Sequence, residues 1–421
     1  MSNKKNVVIG LFGFGTVGEG IYHVINSTPS LDARIKKVCI KNPLKERAAP
    51  DALFTTDYNA LLNDPEINLI VELIDDAEEA YKIVTTALRN GKHVVSANKK
   101  LIAEHLAELI QLQEKHNVSF LYEAAVCGSI PVIRNLEEYF DNDLLQGICG
   151  IVNGSTNYIL TRLNEGLTYA DALLEAQQRG FAESNPSLDV EGFDATNKLT
   201  ILLAHAYGIV TDPTALLRQG ITRLHARDAA YASEKGLKIK LVAQAKKLSD
   251  GTVAAFVMPR FVRAESQLYN VNNEYNGVII ESKLADKQFF FGKGAGRYPT
   301  SSAVISDISA YSYLYQYEYK KLRRPDKNVL THNYYLDVFV SFPAWTDVNK
   351  WDFEEVTEFH STAERQYIRG TIHAEKLRNA AWFDDPSVSV ILQQDAIIEK
   401  ESIVTQSIKK VSLQLAGVTL A

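Results

Sequence analysis

Four carboxylates and a lysine crowd residues 180–198 (GFAESNPSLDVEGFDATNK): Glu183, Asp189, Glu191, Asp194 and Lys198. Asp194 and Lys198 are four residues apart, so on a helix they share one face, a turn from each other. That spacing alone serves a surface ion pair as well as a reacting one. The setting points further. A loop containing glycine and proline delivers several carboxylates just ahead of an apolar helix, and a substrate carrying an ammonium group needs such partners. A second constellation, Gly13-Phe14-Gly15-Thr16-Val17-Gly18, fits G-x-G-x-x-G. It follows an apolar run and opens a helical one, the context in which the pattern signals dinucleotide binding. Gly13 permits the tight turn, Gly15 lets the backbone approach a pyrophosphate, and Gly18 lets the helix pack close to the sheet. The helix N-terminus then offers N–H groups to the phosphates. A reader of NAD usually places an acid at the end of the second strand, for the ribose 2′-hydroxyl. Here that run ends Ile40-Lys41-Asn42, with Lys45 and Arg47 soon after. Cations there favour a 2′-phosphate, so NADP is the expected cofactor and NAD the alternative.

Holding these groups falls to a chain whose first third alternates strands and helices. Strands are expected over 7–12, 35–40, 69–74 and 93–96, with helices over 16–26 and 78–90, the latter closed by Gly91. Ile102, Leu106, Leu109, Ile110 and Leu112 mark a further amphipathic helix. This alternation implies a Rossmann-type, doubly wound parallel sheet. The middle third stays α/β, with a long helix over 194–207 that turns Leu199, Leu202, Leu203 and Ala206 to one side. A strand follows residue 251 (AAFVMPRFV), and its Pro259 is expected to hold it to an edge or a bulge. Tyr311, Tyr313, Tyr315, Tyr317 and Tyr319 recur with a strand period, whereas 300–310 reads as a helix; period alone leaves this segment open. The polar stretch LRRPDK at 322–327 marks a domain boundary. Beyond it, strands over 334–341, 367–373 and 388–392 and a helix over 375–381 form a small α+β module, separable enough that a chain ended near Asp326 should keep its activity if it stays soluble.

Composition narrows the field. At 421 residues the chain is long enough for two or three domains, and with 46% hydrophobic and 23% charged residues it can bury sizeable cores. A net charge of −6 argues against nucleic acid or an anionic membrane as partner. No apolar run reaches the roughly 18–20 residues of a membrane helix. The N-terminal MSNKKNVVIGLFGFG reads as a first strand, because glycines interrupt its apolar part. Cys39, Cys127 and Cys149 are odd in number and far apart, which fits a reducing cytoplasm. None of the nine histidines has metal-ligand spacing, and His205, on the apolar helix, is expected to be structural.

Together the motifs resemble the homoserine dehydrogenases. The matching blocks are GFGTVG at 13–18, GKHVVSANKKLIA at 91–103, YEAAVCGSIPVI at 122–133, GIVNGSTNYILTRL at 150–163, GFAESNPSLDVEGFDATNKL at 180–199 and GKGAGRYPTSSAVISDI at 292–308. Another amino-acid dehydrogenase would keep the glycine loop but lack the NGSTNYIL and DVEGFDATNKL blocks together. A non-catalytic dinucleotide sensor would lose Lys198 or Glu183.

The resemblance implies reversible oxidation of L-homoserine to L-aspartate 4-semialdehyde with NAD(P). By it Lys198 is the catalytic lysine, Lys99 reaches in between cofactor and substrate, and Glu183, Asp189 and Asp194 bind the substrate. Asp194 is expected to serve the substrate mainly, with Lys198 donating a proton to the aldehyde oxygen in the reducing direction. Gly294 and Gly296 belong to a loop over the cofactor, and carbonyls of Glu123, Val126, Gly128 and Ile130 to a monovalent-cation site such as one for Na+. The segment after the GAG block becomes a helix over 301–313. The implied domains are a dinucleotide-binding domain (1–133), a catalytic and oligomerisation domain (134–322, with 295–322 packing back on the first) and an ACT-like module (328–421), in a homodimer or homotetramer. There are departures. Asp75-Asp76 stands where the family commonly has two glycines, Asn185 replaces an Asp, and Ser341-Phe342-Pro343-Ala344-Trp345 replaces the glycine-containing ligand turn of the last module.

Overall fold

In the computed structural model, which describes residues 6–142 and 144–399, the N-terminal apolar run is β1 (Val7–Phe12), buried along its whole length. Burial on both faces is what a strand covered by helices on each side of a parallel sheet requires. Beside it lie β2 (Ala33–Cys39), β3 (Phe54–Thr55), β4 (Leu69–Glu72), β5 (His93–Ser96) and β6 (Phe120–Leu121). All pair in parallel, in the order β3-β2-β1-β4-β5-β6. The connecting helices are α1 (Thr16–Ser27), α2 (Asn59–Leu62), α3 (Ala77–Arg89) and α4 (Lys99–His116). The winding reverses between β1 and β4, and ligands of such sheets bind beyond the carboxyl ends of the strands at that switch. Asp76, one of the two unexpected carboxylates, caps α3 by accepting from the N–H groups of Glu78 (3.0 Å) and Glu79 (3.1 Å).

A second, mixed sheet carries the rest. Its strands are β7 (Leu145–Ile151), β8 (Leu217–Arg218), β9 (Lys238–Lys247), β10 (Val253–Val262), β11 (Tyr275–Ser282), β12 (Asp286–Lys293), β13 (Leu330–Thr331), β14 (Tyr335–Phe342), β15 (Phe353–Ser361), β16 (Gln366–His373) and β17 (Ser389–Ile398). They run β12-β11-β7-β9-β10-β17-β14-β16-β15, with β8 and β13 also on β10. Helices α5 (Gly154–Asn164), α6 (Tyr169–Gln178), α7 (Ser187–Val190), α8 (Phe193–Tyr207) and α9 (Ala226–Glu234) accompany it, and α5, α8 and α9 pack on β9. Next, α10 (Arg297–Ser312) returns to the first sheet and packs on α1, where the Ser301 hydroxyl donates to the Val17 carbonyl (3.2 Å) and Arg297 pairs with Glu19.

The tyrosine alternation is therefore not a strand. Its first member ends α10, and Tyr317 and Tyr319 lie on the irregular stretch that follows, buried against Tyr122 and His205. The Tyr122 hydroxyl stands 2.8 Å from both His205 Nε2 and the Tyr319 hydroxyl, and His205 Nδ1 stands 2.8 Å from Glu137. His205 is thus satisfied on both nitrogens.

Two features differ from the sequence reading. β10 is an interior strand despite Pro259: β9 lines one side throughout, with Leu241 opposite Pro259. On the other side β13 meets Val253 and Ala254, β8 meets Phe256 and Val257, and β17 meets Arg260. Pro259 falls between these short partners, where a missing N–H is tolerated. The second difference lies at 322–327. The sheet runs straight across that expected boundary, because β17 joins β10 and the antiparallel set β17-β14-β16-β15, with α11 (Ala374–Asn379), extends from it. Leu217, Leu248, Phe256 and Met258 share one core with Val338, Val340, Ile368 and Val390. Beside the break, the Lys321 ammonium donates to the carbonyls of Leu136 (2.6 Å) and His205 (2.7 Å), and Asn328 donates to that of Tyr207 (2.9 Å). The stretch 400–421 of the expected module lies outside the described residues.

Candidate active site

The acidic loop is turned into its helix by Gly192, whose φ of +81° is left-handed. Asp194 then lies in the first turn of α8 and Lys198 one turn on, both buried. The Lys198 ammonium stands 2.6 Å from Asp194 Oδ2 and donates to the Val152 carbonyl at 2.7 Å. From the other domain, Lys99 at the start of α4 reaches Asp194 Oδ1 at 2.8 Å. Asn98 fixes that helix start by accepting from the Leu101 N–H (3.0 Å). A fourth residue completes the cluster. Asn153, between β7 and α5, donates through Nδ2 to Asp194 Oδ2 (2.8 Å) and Asp189 Oδ1 (2.7 Å). Burial pushes the Asp194 carboxyl up, but the cations of Lys198 and Lys99 outweigh it and hold the carboxyl well below the usual range. Asp194 in turn raises Lys99.

Asp194 is thus held on both oxygens, Lys99 on Oδ1 and Lys198 with Asn153 on Oδ2, and Oδ1 keeps a further lone pair. Its protein partners are therefore both lysines and Asn153, and the sequence reading did not assign the contacts with Lys99 and Asn153 to it. The carboxylate open to a ligand is that of Glu183, which has no partner among the described residues, its main-chain carbonyl being held by Gln177 (2.9 Å). Lys99, Asn153, Glu183, Asp189, Asp194 and Lys198 all line one cleft of about 630 Å³. Gly294 and Gly296 form another part of its wall. A Cβ on Gly294 would collide with the Asn276 side chain, and Gly296, at φ +110°, opens α10.

The three glycines of the first loop are used differently. Gly13 has φ +93°, and a Cβ there would sit 2.8 Å from the Leu73 carbonyl oxygen; one on Gly18 would collide with that of Gly13. A Cβ on Gly15 would meet no protein atom within 4 Å, so what this glycine leaves room for is not protein. No side chain caps α1, whose first N–H groups follow Gly15. Phe14 packs edge-on against Phe54 and Tyr22, Thr16 is exposed, and Val17 takes the bond from Ser301. Past the end of β2 a further cleft of about 560 Å³ is lined by Lys45, Arg47, Phe54 and Thr55. The Arg47 guanidinium lies 5.4 Å from the Phe54 ring centre and donates to the Asn42 carbonyl (2.7 Å). Lys41 is exposed just past the end of β2, and Lys45 and Arg47 share the lining of this cleft with the acids Glu46 and Asp51. At the switch point, Glu72 accepts from Ser96 (2.6 Å) and the Ile74 N–H (2.7 Å), and burial raises its carboxyl to about 7.

Residues 13–123 match the family model described as "Homoserine dehydrogenase, NAD binding domain", and residues 131–309 match "Homoserine dehydrogenase". The homoserine dehydrogenase of Neisseria gonorrhoeae is 38% identical over 313 residues, 72% of each chain. The chain belongs to the homoserine dehydrogenase family. That of Synechocystis is 38% identical over 317 residues, again 72% of each chain. In fold, the crystal structure of a homoserine dehydrogenase from Thiobacillus denitrificans matches with a TM-score of 0.82 at 28% identity, covering 93% of this chain and 99% of that one. A hyperthermophilic archaeal homoserine dehydrogenase in complex with NADPH matches with a TM-score of 0.64 at 27% identity, covering 74% and 99%. The reaction is thus the nicotinamide-dependent interconversion of L-homoserine and L-aspartate 4-semialdehyde, an oxidoreduction of amino-acid biosynthesis.

For a homoserine dehydrogenase, the acids and lysines named from the sequence line one cleft, and Asn153, which the sequence reading did not name, lies among them. Its signal was present: in Asn153-Gly154-Ser155-Thr156 an asparagine follows a strand and precedes a helix, the pattern of an N-cap. A cap uses only the side-chain oxygen, and nothing in the pattern shows where the nitrogen points.

Proposed function

We propose that Lys198 is the proton-handling group and that NADP is the preferred cofactor, with NAD accepted less well. The observation that carries this reading is the buried Lys198–Asp194 pair, braced by Lys99 and Asn153, in the wall of one cleft. Bound NADP would supply or accept the hydride; the open space at Gly15, the uncapped start of α1 and the cleft at Lys45 and Arg47 fit its phosphates. Lys198 as an ammonium donates a proton to the substrate oxygen when the aldehyde is reduced, and as the neutral amine so formed takes the hydroxyl proton when the alcohol is oxidised. Asp194 orients that ammonium, and Lys99 supports it from the cofactor side. Glu183, with Asp189 beside it, receives the substrate ammonium.

The cation reading is also proposed. Carbonyls of Glu123 and Ile130 each accept one main-chain bond, from Val126 and Val132, and those of Val126 and Gly128 accept none among the described residues. Lone pairs therefore remain on all four for a monovalent cation. A homodimer or homotetramer is supported by β12, an edge strand with Phe289 and Phe291 exposed. The ACT-like character of the last module rests on the sequence resemblance. The unpaired Cys39, Cys127 and Cys149 support a cytoplasmic setting. Among the described residues no helix is long and apolar enough to cross a membrane.

Two measurements test the assignments. kcat/KM with NADP should exceed that with NAD by about tenfold or more, roughly 1.4 kcal/mol; an equal preference for NAD would remove Lys45 and Arg47 from cofactor choice. Glu183→Gln should raise KM for homoserine about 10- to 100-fold, as expected for loss of a charged hydrogen bond of about 1.5–3 kcal/mol, and should leave KM for NADP little changed. Equal effects on both would place Glu183 outside the substrate site.

A further inference from the structure

We propose that Asn153 is a positioning residue for the hydride-transfer site, which it serves by bridging Asp189 and Asp194 and so fixing where the Lys198 ammonium stands. The amide is 5% exposed, and its orientation is determined on both ends. Oδ1 accepts from the N–H (2.8 Å) and the hydroxyl (2.9 Å) of Thr156, so the nitrogen must face the acids. Nδ2 carries two hydrogens and meets two carboxylate oxygens, one each from Asp189 and Asp194. The neighbouring Val152 carbonyl takes the Lys198 ammonium, so one short turn supplies an anchor to the lysine and to both acids. That turn is itself seated: a Cβ on Gly154 would lie 2.7 Å from the Glu274 carbonyl oxygen.

Asparagine is the side chain that meets both demands. Aspartate would cap α5 equally well but would put a third carboxylate beside Asp189 and Asp194, with the Lys198 and Lys99 ammonium groups on Asp194, and Lys100, Arg179, Lys293 and Arg297 against Glu183 and Glu274 elsewhere in the cleft wall. Serine would cap the helix but is too short to reach the acids. The two substitutions therefore separate capping from bridging.

The inference rests on Lys198 and Asp194 being the reacting pair, and its test is arranged around that. In the full-length chain, Asn153→Ser should lower kcat about 10- to 100-fold with KM for NADP unchanged within twofold and the thermal midpoint nearly kept. Asn153→Asp should lose more at pH 8, and its activity relative to wild type should rise as the pH falls to 6. Crowded carboxylates retain a proton, which restores one donor to the bridge. A merely structural residue would shift stability without tilting this relative pH profile. If Asn153→Ser keeps kcat within threefold, or the Asn153→Asp profile runs parallel to wild type, the assignment is wrong. Should Lys198→Ala alone be inactive while both Asn153 variants are normal, only the bridging role falls. Should Lys198→Ala be active, the reading beneath it falls too.

Discussion

Lys198→Ala should lower kcat for homoserine oxidation about 10²- to 10⁴-fold, the range of a lost general acid–base group and roughly 3–5 kcal/mol in barrier. KM for NADP should stay within about twofold, because Lys198 touches Asp194 and the Val152 carbonyl and none of the glycine loop. The variant also leaves Asp194 buried with one cation fewer. Breaking such a pair costs about 3–5 kcal/mol. The sign with pH follows from the depressed Asp194 carboxyl. The stability it contributes is fully present above the ordinary carboxylate range and is lost as pH falls toward its own lower value. The difference in stability between wild type and variant should therefore be largest near neutral pH and shrink in acid. A kcat within about threefold of wild type, roughly 0.65 kcal/mol, would remove Lys198 from the chemistry.

Ending the chain after Asp326 should abolish soluble, active protein. The sequence alone favours a truncation that keeps its activity if it stays soluble, since LRRPDK reads as a polar boundary between modules. The structure reverses that expectation because the last strands complete a core begun before the break. Without them Leu217, Leu248, Phe256 and Met258 lose their cover. Burial of each such side chain contributes about 1.5–3 kcal/mol, so four of them approach the about 5–15 kcal/mol that keeps a domain folded. Recovery in the soluble fraction, followed by a homoserine assay, checks this. A soluble truncation with wild-type kcat would show that the first sheets stand without the shared core.

These two cases mark what could be read from residues and what could not. β1, α1, β5 and α8 were legible because each is a strong local pattern: an apolar run, a glycine turn, an apolar helical face. Glu183, Asp189, Asp194 and Lys198 were legible because the 180–198 block carries them, the last two at helical spacing, whereas Lys99 was legible only through the resemblance of the 91–103 block. β15 was not legible. It is an edge strand whose Glu354, Glu355, Thr357 and Glu358 leave little alternation to detect. The continuity of the second sheet was hidden for a different reason: β10 meets β17 across more than a hundred residues of chain, and no local pattern records a distant partner. The partners of Asp194 belong to the same class, since Lys99 and Asn153 arrive from α4 and from the end of β7. The cations after β2 were visible as a group, but which of them line a cleft was not. Lys41 stands nearest the strand end in sequence, whereas Lys45 and Arg47 line the cleft.

The central claim is that this cleft interconverts homoserine and aspartate semialdehyde with a nicotinamide cofactor. Its most direct test follows NADPH absorbance with the full-length protein, adding L-homoserine with NADP in one direction and L-aspartate 4-semialdehyde with NADPH in the other. Turnover is expected both ways, with Lys198→Ala slower by about 10²-fold or more in both under the same conditions. A protein that binds NADP yet turns over neither substrate would contradict the account.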